Sequence, residues 1–524
     1  MKRFLLLTLA LVITIPLCLL LFSCGDENPA RSDPGGESGS VEESSEESSE
    51  MEKEQITLNV AASPEGEEMS DAYIVTVRYG KDGEPVEVPC YKAKVGLKSI
   101  TTSGEGEIET REMSFCYFDS DFEKEVFVSI TPNKKESFEI CDVRPISNGI
   151  TPETSGNSVD FKLGSPSKLS VEFDGDIYTN LFIFAGETEK EVINDGDPGV
   201  IYYGPGSHDA GEIVLKSNQT LYLAPGALVY GYVVCENANN VAIKGRGILC
   251  GSKLDHKMNS PRQRLCSFDK CLGVTIDGVI FIDSPTWTLR TYVCKNVVIN
   301  NLKEICWFYN SDGIDLCSCR NVTITDSFLR NYDDNISIKA FESADSVDIR
   351  VENCVFWADC AHNMLVGPEA RDAEYENKYT DIVFKSITIL EQKQTGDFYK
   401  GVMAITCADN AVYDNITWDG VVIERLSDGS VINFRFSNDY ATYYGKSVTN
   451  VTVKNVNCLV EPQRGDVILG MPERSFGEIT IENYTVNGKK VTFEDHNFTP
   501  EVRYIDSLTI ENETRTVSKI LTVN

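Results

Sequence analysis

Between about Ile56 and Asn194, apolar and polar positions alternate with period two, as in Tyr73-Ile74-Val75-Thr76-Val77-Arg78-Tyr79. Similar runs occur at 125–130 (EVFVSI), 168–173 (KLSVEF) and 181–184 (LFIF), each bounded by Gly, Pro, Asn or Asp. Short alternating runs with turn residues and no long helical period predict a β-sandwich over residues 56–195. After Gly196 the pattern changes to a recurring unit: Asn or a similar residue, then Val/Ile–x–Val/Ile. It begins at Val241, Val274, Val297, Val322, Val347, Ile382, Ile416, Val451 and Ile479, in steps of 23–35 residues. Self-similarity on that scale predicts a solenoid, and the lack of a ten-residue helix in each unit selects a parallel β-helix over 196–524. The fold class is therefore all-β.

The N-terminus reads as an address. Met1-Lys2-Arg3 precedes an apolar run over 4–22, followed by Ser23-Cys24-Gly25. Residues 1–24 resemble a bacterial lipoprotein signal, which implies lipidation at Cys24, export, and a membrane-anchored or secreted protein. Residues 25–55 hold 11 acids and two bases among Ser and Gly, and read as a self-repelling tether. The chain carries 48 basic and 81 acidic residues, a formal charge of −33 that disfavours nucleic-acid partners. Of 17 cysteines, none falls at zinc-site spacing with a His, and most read as small buried apolar residues. Cofactor fingerprints and phosphate-binding glycine loops are absent, so no cofactor and no metal is expected. A monomer is expected.

The chemistry concentrates in Tyr309-Asn310-Ser311-Asp312-Gly313-Ile314-Asp315 and Asn331-Tyr332-Asp333-Asp334-Asn335. Asp312 and Asp333 are 21 residues apart, close to one coil. They are expected at equivalent positions on rungs about 4.8 Å apart, with Asp334 as a third carboxyl. Three crowded acids cannot all ionise cheaply, so at least one pKa should rise and supply a proton donor. Asp315, Asp326 and Asp348 read instead as turn caps. Calcium binding by the acids lacks the spacing of a known loop.

These motifs, with Ser284-Pro285-Thr286-Trp287-Thr288-Leu289 and His362-Asn363-Met364-Leu365-Val366-Gly367, resemble the polygalacturonase family (glycoside hydrolase family 28). The resemblance implies a right-handed β-helix and an inverting hydrolase. Asp333 would be its general acid, Asp312 and Asp334 the groups activating water, and His362 their support. Asn310, Trp307, Tyr309, Lys339 and Trp287 are the candidate substrate contacts; Trp357 reads as core and His208 as structural. The family's Arg-x-Lys pair, which holds a uronate, falls at Met403 and Ile405 here. That weakens a galacturonan substrate, although Lys339, Lys400 and Arg371 remain to compensate. The sandwich text Leu169-Ser170-Val171-Glu172-Phe173 and Leu181-Phe182-Ile183-Phe184, with Tyr203-Gly204-Pro205-Gly206 and Tyr222-Leu223-Ala224-Pro225-Gly226, is similar to the dextranase and isopullulanase family (glycoside hydrolase family 49). That likeness implies a neutral α-glucan as the preferred polysaccharide. The alternatives are a polygalacturonase-like pectin hydrolase, a non-catalytic glycan-binding surface protein, and a lyase.

Overall fold

The computed structural model describes residues 58–99, 108–257, 261–341, 343–369, 375–393, 401–494 and 502–518. Cys24, the apolar run and the acidic tether lie outside them, as do Arg371 and Lys400. Among the described residues the only helix is a single 3-10 turn, Ile146–Asn148.

Two sheets form first. Tyr73–Tyr79, Val86–Val88, Val126–Pro132, Glu153–Ser155 and Ser158–Leu163 make an antiparallel five-stranded sheet. Leu58–Asn59, Tyr91–Ser99, Ile108–Ser120, Leu181–Glu187, Ser167–Phe173 and Cys141–Arg144 make a six-stranded one. Strict alternation lets the second sheet bury both faces. In Leu181-Phe182-Ile183-Phe184-Ala185 the odd positions join Val75, Val128 and Val171 in the sandwich core. Phe182 and Phe184 point the other way, onto Ile280, Ile305, Phe328 and Trp357 of the solenoid.

The described residues from Val200 to Val517 form 30 strands wound as a right-handed parallel β-helix, with only Lys489–Lys490 and Glu513–Val517 pairing antiparallel near its end. Each full coil offers three faces. In one coil these are Ile314–Cys317 (the floor face), Arg320–Thr325 (the second face) and Phe328–Asn331 (the third face, under the sandwich). The recurrent Asn has a backbone cause: Asn240, Asn296, Asn321, Asn415 and Asn450 all sit at positive φ near the start of the second-face strand. Asn tolerates that left-handed corner better than most side chains, and its amide can bond the Asn of the coil before, as from Asn321 Nδ2 to Asn296 Oδ1 at 2.8 Å. The register runs Val241, Val274, Val297, Val322, Ile349, Ile382, Ile416, Val451, Ile479. The expected Val347 is thus two residues early, because Asp348, at φ 57, occupies the left-handed corner. All fifteen cysteines from Cys90 to Cys458 are free thiols, and only Cys141 and Cys360 are not fully buried.

Candidate active site

On the floor face, Leu289, Ile314, Ile336 and Met364 are in parallel register. Two residues upstream the same register stacks Trp287, Asp312, Asp334 and His362 on successive coils. Bonds from Thr288 N to Asp312 O (2.7 Å), Gly313 N to Asp334 O (2.8 Å) and Asn335 N to His362 O (2.9 Å) extend the pairing there. The partner of Asp312 is therefore Asp334 rather than Asp333: the coil is 22 residues long, not 21. Asp333 sits one residue earlier and accepts a bond from Asp334 N at 3.0 Å. One carboxylate oxygen of each of Asp312, Asp333 and Asp334 lies within 4.8 Å of the others.

Local sequence explains the tight turn. A Cβ on Gly313 would stand 2.5 Å from both Asn331 Nδ2 and Asn335 O, and 2.7 Å from Glu304 Oε2. Asn310 takes φ 55 at the turn's entry. Beneath the acids, Asn331 donates to Glu304 and to Asn335, each at 3.0 Å. Asn335 donates to Asn363 at 2.8 Å, and Asn363 to Gln392 Oε1 at 2.7 Å.

The three acids have different environments. Burial and the Asp334 carboxylate push Asp333 up to about 7. Burial would also raise Asp334, but His362 outweighs it and holds this carboxyl below its ordinary range. Asp334 Oδ1 takes His362 Nδ1 at 2.7 Å and His362 N at 2.9 Å. Burial, then Asp315, lifts Asp312 well above the usual carboxylate range, with Lys339 opposing. The Lys339 ammonium lies 3.3 Å from Asp312 Oδ2, 2.8 Å from Asp315 Oδ1 and 3.1 Å from Glu369 Oε2, and 3.7 Å from the Trp287 ring centre.

The model of glycosyl hydrolases family 28 matches residues 233–504, which contain the whole triad and more than half of the chain. The chain belongs to glycosyl hydrolases family 28. It is 27% identical over 254 residues to a probable rhamnogalacturonase A of Aspergillus oryzae, covering 46% of this chain and 50% of that protein. It is 32% identical over 91 residues to the alpha-L-rhamnosidase rgxB of Aspergillus niger, covering 16% and 20%. The matches thus span about a fifth and a half of these curated relatives. Among solved structures, Dex49A from Penicillium minioluteum superposes with TM-score 0.63 at 16% identity, over 86% of this chain and 96% of that one. That coverage exceeds the solenoid, so the shared fold includes N-terminal sheets. An exopolygalacturonase from Thermotoga maritima gives 0.46 at 17% identity, over 62% and 87%.

In this family 28 member the candidate substrate contacts divide. Asn310 is exposed, and its Oδ1 accepts Arg262 Nη2 at 2.9 Å. Tyr309 is half-buried, edge-on to Phe308 and Tyr332. Trp287 lies under Lys339, with the Arg264 guanidinium 4.9 Å from its ring centre. Trp307 stacks on His256 at 5.5 Å and carries Lys94, from the sandwich strand Tyr91–Ser99, 5.2 Å from its ring centre. Lys339 is committed to three carboxylates. Trp357 is fully buried against Phe182, and His208 bonds Gly204 O at 2.8 Å.

Two sequence readings need correction. Met403 and Ile405 face the solenoid core beside Met364 and Val366, because floor-strand side chains alternate. The outward positions of that strand are Ala404 and Thr406, which are also uncharged. Asp315 is no turn cap: it points outward to Lys339, and burial lifts it to about 6 with Lys339 opposing. Strand parity could have located it. Arg262, Glu369 and Tyr440 lie in loops whose text has no periodicity. Arg262 bonds Pro285 O (2.9 Å), Tyr309 O (2.7 Å) and Asn310. Tyr440 is 76% exposed and feels the charges of Asp333 and Asp334.

Proposed function

We propose that this glycoside hydrolase cleaves an α-linked polysaccharide by single displacement. Asp333 protonates the glycosidic oxygen, and Asp312 and Asp334 hold the attacking water. The observation that carries this reading is the asymmetry of the triad. Asp333 keeps its proton to near-neutral pH, while His362 keeps Asp334 ionised a few ångströms away. Asp312 Oδ2 is tied to Lys339, whereas Oδ1 has no hydrogen-bond partner among the described residues. The nearest oxygens of the three acids lie within 4.8 Å of one another, closer than the ~6.5–9.5 Å carboxyl spacing usual for inverting pairs. Inversion therefore rests on the family resemblance, and proton NMR of the first-formed anomer tests it: a retained anomer would refute single displacement.

The sugar beside Ala404 and Thr406 is neutral in this reading, because that strand offers no fork or point charge for a uronate. A neutral α-glucan such as dextran satisfies this. So does a pectic chain with neutral rhamnosyl units, a second reading favoured by the family 28 match and by the names of the curated relatives. We place the protein outside the cell, lipid-anchored through Cys24 and monomeric. Reducing-sugar release from dextran, pullulan, polygalacturonate and rhamnogalacturonan, with Asp333→Asn alongside, is the decisive assay. Activity on one neutral-sugar polymer, abolished by the substitution, is expected. Glycan binding without turnover would make the protein a surface binding module instead.

A further inference from the structure

The sandwich sits on the third face, so it borders two corners of each coil. One is the catalytic corner, where Gly96 packs against Tyr332 and Trp307. At the other, between the second and third faces, lies a cleft of about 590 Å³, walled by Ser167–Lys168 and Gly186–Glu191 on one side and by Asn300, Asn301 and Asn353 on the other. The acids fall at the first corner, on the loops after Lys303–Ile305 and Phe328–Asn331, so this cleft is separate from the catalytic site.

Its charges are unevenly matched. The wall carboxylates are already engaged: Glu189 by Tyr222 Oη at 2.9 Å and Arg246 at 3.7 Å, Glu191 by Lys244 at 2.6 Å, Asp277 by Asn300 at 2.8 Å, Asp326 by Asn353. Two ammonium groups are not: Lys168 on the cleft wall, and Lys303 behind it in a small neighbouring cavity that Lys168 and Arg246 also line. Lys303 replaces an apolar residue in the column Ile280, Lys303, Phe328 and, among the described residues, donates only to the carbonyls of Gly278 and Asn301. Lys168, at the cleft wall, makes no hydrogen bond or ion pair with any described residue. Strand parity turns it away from the sandwich core, where Leu169 and Val171 lie, and toward the solenoid. Between them stands Arg246, bound to Asp119 at 3.0 Å. Burial holds both lysines below their ordinary range, with Arg246 adding to it. Asp326 opposes this at half-buried Lys168, and Asp119 and Asp277 at Lys303, but none of these carboxylates comes within ion-pair distance of either ammonium. An ammonium withdrawn from water without a close counter-ion is costly. An oxyanion entering the cleft would offset that cost. The space is too large for a lone ion, and its polar lining, which includes Ser167, Thr188, Asn301 and the Asn300–Asp277 and Asn353–Asp326 pairs, suits sugar hydroxyls.

We propose that this cleft is an accessory, non-catalytic site for a uronate-bearing saccharide, whose carboxylate pairs with Lys168. The proposal does not depend on which polymer the catalytic triad cuts. Titration calorimetry on the full chain carrying Asp333→Asn, with trigalacturonate, isomaltotriose and inorganic phosphate as probes, tests it. Trigalacturonate should bind here, and Lys168→Met should weaken that binding at least tenfold, while Lys168→Arg retains it. In the otherwise native enzyme Lys168→Met should leave turnover unchanged. Thr188→Trp, which fills the wall, should block the same site if Lys168→Met fails to fold. Binding of phosphate alone, equal binding of isomaltotriose, or trigalacturonate binding indifferent to both substitutions would overturn the proposal. None of these outcomes bears on whether Asp333 is the catalytic acid, which hydrolysis reports separately.

Discussion

Asp333 titrates near pH 7 because burial and a neighbouring carboxylate both oppose its ionisation. As the acid of the reaction it must be protonated, so kcat/KM should fall about tenfold per pH unit above pH 7. Asp334, held below its ordinary value, stays ionised through this range. A pH–rate profile on the preferred polymer checks both statements, and a plateau extending to pH 9 would remove Asp333 from the acid role. The same shift has a stability consequence of the opposite sign to an ion-paired carboxylate. The proton is held more tightly in the folded state, so the contribution is complete below about pH 4 and lost as pH rises through 7. Gly313 is the other decisive residue. Gly313→Ala would force a methyl group against a backbone carbonyl and two buried side chains. We expect about 1–3 kcal/mol of destabilisation and a loss of turnover, measured by urea unfolding and product release. The clustering of the acids and the presence of His362 beside them were legible in the text; the need for glycine at 313 shows only in the packing of the turn. The role of Asp315 was not read, because a turn signal was preferred to the strand parity that places it beside Lys339.

At the scale of elements, the coils are tied by side-chain ladders as well as backbone pairing. The chain Asn331, Asn335, Asn363, Gln392 runs through buried carboxamides directly beneath the acids. Asn335→Ala leaves a donor on Asn331 and an acceptor on Asn363 without this partner. That should cost about 1–3 kcal/mol and loosen the Asp333–Asp334 turn. Chemical denaturation and the rate constant measured together would show both effects, and an unchanged midpoint would show that the ladder is not structural. Periodicity revealed the coils themselves, since each begins with a left-handed corner followed by β-branched residues. It misjudged register by a residue or two, at Asp333 and at Val347, because corner geometry decides how many residues a turn consumes.

For the whole molecule, the sandwich is part of the solenoid's core rather than an appendage. Arg144 joins Glu172 of the sandwich to Glu424 of the solenoid, both at 2.9 Å and all three buried. Arg144→Met leaves those carboxylates without a shared cation and should cost about 3–5 kcal/mol, seen as a fall in melting temperature. Arg425 still holds Glu172 at 3.0 Å, so the loss should be larger at Glu424. Removing residues 58–187 would expose Ile280, Phe328 and Trp357 to water.

The sequence by itself determined the two β architectures, the acid motifs and the family, because period-two alternation, left-handed corners and short polar motifs are local properties of the chain. Only the tertiary structure decided which acid stacks on which, that Met403 and Ile405 face the core, and that Trp307 is covered by the sandwich. It also brought Arg262 and Tyr440 to the acids and placed Lys168 in a second cleft with no hydrogen bond or ion pair among the described residues. Each of these depends on turn lengths, loop reach or contacts between residues more than a hundred positions apart, and no local pattern in the chain encodes them.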